Sequence, residues 1–103
     1  MIQVSPPRWV HILEGDATGG GHGPGRGISG KSEFPTSLTD DEIIAGVELI
    51  ANDPASYPGG VIPTNPGHFK IAGQIKGVKT TVIVDPAAGA VITAWPEGVP
   101  RNP

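Results

Sequence analysis

FKIAGQIKGVKTTVIVDPAAGAVITAWP, residues 69–96, is the stretch on which the fold turns. Its three parts, FKIAGQI, VKTTVIVD and AVITAWP, alternate with a period of two and are rich in Val, Ile and Thr, as half-buried strands are. Lys76-Gly77 and Pro86-Ala87-Ala88-Gly89 separate them, and connections that short join antiparallel neighbours. We read an antiparallel three-stranded meander with one apolar face. Upstream, Thr39-Asp40-Asp41-Glu42 is a capping-box pattern, Thr39 as N-cap and Glu42 three residues on, with an acidic first turn that suits the helix dipole. Ile43, Ile44, Val47, Ile50 and Ala51 follow at helical spacing, and Asn52-Asp53-Pro54 ends the pattern. One amphipathic helix over residues 40–52, packed on the apolar face of the meander, predicts a small single-domain α+β fold.

Outside this frame the pattern is looser. Residues 55–67 read as a proline and glycine loop. Residues 8–13, RWVHIL, read as a short strand or helical turn with Trp9 as a core anchor, and Pro6 and Pro7 disfavour a helix that begins before them. His68 beside Phe69 reads as structural. A core over roughly 8–97 and a frayed Pro-rich tail at 98–103 complete the expected domain, which spans 1–103.

The chain has 103 residues, 16 Gly, 12 Pro and no Cys. Disulfides, thiolate metal sites and a cysteine nucleophile are therefore excluded. No segment approaches membrane-spanning length, and MIQVSPPRW lacks the basic-then-apolar layout of a signal peptide. The expectation is a protein that stays where it is made, or a fragment of a longer exported chain. A net charge of −3 argues against coating nucleic acid through a bulk positive field. Residues 55–103 are nevertheless basic, with four cations against two acids, and Lys70, Lys76 and Lys79 fall in one stretch without an acid. That stretch is either a solvated strand face or a stripe that tracks a phosphate backbone.

Chemistry concentrates in His11–Lys31, HILEGDATGGGHGPGRGISGK, where eight of 21 residues are Gly. Glycine adds nothing to a core and is kept where backbone bends sharply or approaches something closely. Two imidazoles beside one scissile bond can act as general base and general acid, and a lysine in the same pocket can hold charge that develops on phosphorus. That set would serve RNA cleavage by transesterification without a metal. His11 between Val10 and Ile12 also reads as a structural side chain. A metal site from His11, Asp16 and His22 lacks the spacing that preorganises ligands. Gly25–Ser32 satisfies the phosphate-loop pattern GxxxxGK[ST], yet Glu33-Phe34-Pro35 follows where a helix must begin.

HILEGD, GGGHG, GKSEFP with a capped helix behind it, and ITAWP, in that order from His11 to Pro96, resemble the bacterial branch of the EndoU endoribonucleases, which includes toxin domains of contact-dependent inhibition proteins. The resemblance implies cleavage of single-stranded RNA at uridines to a 2',3'-cyclic phosphate. His22 would be the general base, His11 the general acid and Lys31 the stabiliser of the phosphorane. Thr93 and Trp95 would contact the uracil, with Ser37 and less closely Thr36 lining the base pocket. Trp95 stands where the family usually has tyrosine, which keeps a stacking face and loses a phenol hydrogen bond. A monomer with no cofactor and no metal is expected, with RNA as partner and, for a delivered toxin, an immunity protein over the loop. The alternative is a non-catalytic RNA- or protein-binding module of the same fold.

Overall fold

Residues 1–57, 59–62 and 65–103 are described in the computed structural model. Four strands form one antiparallel sheet in the order β1-β2-β3-β4: β1 (Gly60–Ile62), β2 (Asn65–Ile75), β3 (Val78–Asp85) and β4 (Ala90–Pro96). Lys76 and Gly77 join β2 to β3 with φ values of 47° and 82°, the left-handed pair that a two-residue type I′ turn requires. The register runs from Phe69 opposite Val84 to Ile75 opposite Val78.

Between β3 and β4 the register slips. Ile83 faces Thr93 and Val84 faces Val91, so Ile92 stands unpaired in a β-bulge. The extra residue lets Val91 and Ala94, three apart, both point into the core, fully buried, while Thr93 and Trp95 share the other face with Ile83 and Thr81.

Helix α1 (Pro6–Leu13) starts on its two prolines, at positions where the missing N–H costs nothing. Helix α2 (Asp40–Asn52) has the full capping box: Thr39 Oγ1 accepts from Glu42 N–H and the Glu42 carboxylate accepts from Thr39 N–H. Ile43, Ile44, Val47 and Ile50 face the sheet, buried. Two glycines set how closely they approach it. A Cβ on Gly46 would lie 2.7 Å from the Ile75 side chain, and one on Gly73 2.6 Å from Ile50. Trp9 is half-buried and packs on the edge of this core. His68 lies 3.7 Å from the Asp85 carboxylate. No described helix is long and apolar enough to cross a membrane.

The meander and α2 agree with the sequence expectation, and three other expectations change. β1 lies within the stretch read as a loop, and β2 begins at Asn65 rather than Phe69; Pro58, Pro63 and Thr64 of that stretch lie outside the described residues. β1 is three residues long with a register slip after Val61, too short to show a period, and its pairing is supplied by β2. The tail is not frayed. Arg101 bridges Ser32, Gly30 N–H donates to Asn102 O at 2.8 Å, and Asn102 N–H donates to Lys31 O at 2.8 Å. Lastly, the glycine loop lies against α1 and this tail, beside the end of β4, instead of across the sheet.

Candidate active site

The last carbonyls of a helix lack partners within it. In α1 the glycine run supplies them: Gly21, His22 and Gly23 N–H donate to the carbonyls of His11, Ile12 and Leu13 at 2.9, 2.7 and 2.9 Å. The approach admits only glycine at residue 20, where φ is +79° and a Cβ would sit 1.8 Å from the His11 carbonyl oxygen. His11 and His22 are thus carried by two backbone segments hydrogen-bonded to each other.

The rest of the loop is held by charges. Glu33 accepts from Gly25 and Gly27 N–H at 2.9 and 2.6 Å and from Asn102 Nδ2 at 2.8 Å, and these bonds hold its carboxyl below the usual range. Arg26 reaches both Asp40, at the start of α2, and Glu14, at the end of α1. Its guanidinium is held above its ordinary value by Asp40 first and Glu14 second.

His22 is half-buried, and its Nδ1 lies 2.7 Å from the Ser32 carbonyl oxygen. A carbonyl only accepts, so Nδ1 carries the proton and Nε2 keeps its lone pair. Burial pushes the imidazole below its ordinary 6.5, the Ser32 bond opposes this, and the positive charges of Lys31 and Arg101 add to the depression. The ring is neutral at pH 7, as a general base must be. It lines a cleft of about 140 Å³ with Gly30, Lys31, Ser32, Trp95 and Arg101.

His11 is placed differently. It is buried, with Nδ1 3.1 Å from both carboxylate oxygens of Asp16 and Nε2 3.1 Å from Thr93 Oγ1. Asp16 is held at about 2 by the Thr18 hydroxyl and amide and then by His11, so it stays ionised and keeps the proton of His11 on Nδ1. Neither His11 nor Thr93 lines the His22 cleft. Lys31 connects the two halves, because it also lines a second hollow with Asp16, Gly19 and Gly20.

Of the six residues expected here, His22, Lys31 and Trp95 share the cleft, and His11 and Thr93 form a hydrogen-bonded pair beside it. Ser37 is apart: it is exposed in the turn between Phe34 and Leu38, whose buried side chains face it outward, and Thr36 is exposed with it. Ser32 supplies the hydroxyl in the cleft. Sequence reasoning missed Ser32 and Arg101. Ser32 was visible only inside the phosphate-loop pattern, and Arg101 lay in a tail whose proline content reads as disorder. Beyond Lys31-Ser32 the chain runs without helix until Asp40, so no helix N-terminus faces Lys31. Among the described residues no three His, Asp or Glu side chains converge as a metal site would.

Comparison with family models, with curated proteins and with solved structures finds no match to this chain.

Proposed function

We propose that this protein is an endoribonuclease of the EndoU type, cutting single-stranded RNA after uridine without a metal. The observation that carries the reading is His22: a neutral imidazole, its proton held by Ser32 O, in one cleft with Lys31, Arg101 and an aromatic face. Nε2 would take the proton of a ribose 2'-hydroxyl, and the freed oxygen would attack the adjacent phosphorus. Lys31 and Arg101 would hold the charge on the non-bridging oxygens, which is where electrostatic stabilisation matters most. The P–O5' bond then breaks, leaving a 2',3'-cyclic phosphate, and a His11 that carries a proton on Nε2 as well as the one held by Asp16 on Nδ1 would give the Nε2 proton to the departing oxygen; in the free protein that nitrogen touches Thr93. Trp95 would stack on a base.

One observation favours a second reading. His11 is only 6% exposed with both ring nitrogens engaged, as a purely structural histidine would be, and a module that binds RNA without cutting it would need nothing more.

A uridine-containing oligonucleotide incubated in EDTA, with product ends read by mass spectrometry, separates the two. The nuclease gives a cyclic phosphate, loses activity in His22→Ala and spares a substrate with 2'-deoxyuridine at the cut site. Binding without cleavage leaves the module.

A further inference from the structure

The face of the sheet that carries Trp95 continues past the cleft. Thr81 is paired with Trp95 across β3 and β4, and Lys70 Nζ stands 5.8 Å from the centre of the indole. Both Thr81 and Lys70 also line a separate bay of about 370 Å³, with Ser56, Gly60 and Ala72. Trp95 of the cleft thus adjoins Thr81 and Lys70 of the bay, and β2 and β4 stand two interstrand spacings apart, about 10 Å.

Charge distinguishes this face from the rest of a net-negative chain. Lys70 and Lys79 alternate with buried core residues and share this face, while Lys31 and Arg101 stand at the cleft. Asp40, Asp41, Glu42 and Glu48 belong to α2, which packs on the opposite face. Lys76, the middle lysine of the stretch, is drawn to that side by an ion pair with Glu42. Two carboxylates share this face: Asp85 at the far end of β3, 3.7 Å from His68, and Glu97 beside Trp95. Glu97 Oε1 accepts from Trp95 Nε1 at 2.8 Å and from Thr81 Oγ1 at 2.7 Å, an arrangement that fixes the plane of the indole.

We infer that the Lys70–Thr81–Trp95 face is a track for single-stranded nucleic acid, leading from the cleft to the bay beside Ser56 and Gly60, where a nucleotide flanking the cut site binds. Trp95 gives a π-face for a base, Lys70 and Lys79 meet the backbone phosphates, and the bay takes the next base. The inference deepens the proposed nuclease and rests on it for the identity of the strand, but its test reads binding.

Uncleavable 2'-O-methyl uridine oligomers of two and eight nucleotides are titrated against the protein by fluorescence anisotropy over a range of salt. The octamer is expected to bind at least ten-fold tighter than the dimer, on the order of the stacking and phosphate terms gained. In Lys70→Gln/Lys79→Gln that gain shrinks, and the slope of log K against log salt falls by roughly 0.7 per lysine lost; Lys70→Arg/Lys79→Arg restores both. An octamer no tighter than the dimer, or an undiminished gain in the Gln variant, overturns the track. So does equal tightening by a polyglutamate peptide, which would make the face a seat for an acidic protein. Failure of the two ideas looks different: length-dependent binding without cleavage of an all-ribose octamer removes the nuclease and keeps the track, whereas equal cleavage of dimer and octamer does the reverse.

Discussion

Burial and nearby cations hold His22 below 6.5, and that shift reaches stability and, in the proposed nuclease, rate. In the unfolded chain the imidazole takes its proton near 6.5; in the folded chain it does so only at lower pH. The unfolded state therefore binds more protons between the two values, and folding stability must fall as pH drops below 6.5 and level off under the folded value. For the proposed nuclease, the acid limb of kcat/KM, which reports the base in the free enzyme, should rise with an apparent pKa below 6.5. His22→Asn should flatten that portion of the stability curve, measured by denaturant unfolding at stepped pH; an unaltered slope would show that another group carries it. Gly20 gives a second residue-level test. Gly20→Ala meets the His11 carbonyl at 1.8 Å, whereas a Cβ on Gly25, at a similar φ of +75°, meets nothing within 4 Å. The backbone cost alone is on the order of 1 kcal/mol at either position. Gly20→Ala should lose several times what Gly25→Ala loses in chemical unfolding, and equal losses would mean that α1 and the loop are not held together as described.

Among the elements, α2 depends on a glycine that helix propensity would remove. Alanine at residue 46 should favour an isolated helix by roughly 1 kcal/mol, yet its methyl would press on Ile75 at 2.7 Å. Overpacking of that kind costs about 1–3 kcal/mol, so Gly46→Ala should destabilise the protein, and in Gly46→Ala/Ile75→Ala, which removes every Ile75 atom the new methyl meets, the loss should be smaller than the sum of the two single losses. A gain from Gly46→Ala alone would contradict the packing of α2 on β2. The elements were also the most legible part of the sequence. Thr39 and Glu42 mark the start of α2, five apolar residues mark its buried stripe, and the meander shows its period over 28 residues, so each signal is local and repeated. α1 was ambiguous because eight residues hold only two turns, and β1 was invisible because it is three residues long. The cleft was only half legible. His22, Lys31 and Trp95 could be chosen by chemistry, but Ser32 acts through its carbonyl and Arg101 through tail pairing, and backbone partners leave no trace in residue identity.

Over the whole molecule, the tail closes the site. Residues 101 and 102 bond to Gly30, Ser32 and Lys31, and Asn102 Nδ2 also reaches Ile28 O and Glu33, while among the described residues none beyond Pro96 is buried. A variant ending at Val99 should therefore unfold with nearly the parent cooperativity. The proposed cleavage should fall by about 100-fold in it, the scale of losing one charge-stabilising donor, because Arg101 is gone and the Lys31 strand is released. Full activity in that variant would mean that neither tail residue matters to the chemistry. The unpaired Ile92 has a different bearing. It shifts the phase of β4 partway along, so the half that fills the interior and the half that displays Thr93 and Trp95 answer to separate demands. Altering side chains ahead of it would leave the display intact, and excising this lone residue would make the Val84–Val91 and Ile83–Thr93 pairs consecutive, keeping Thr93 and Trp95 outward and removing the local bend; closing the bulge with Ile92 retained would turn that pair inward.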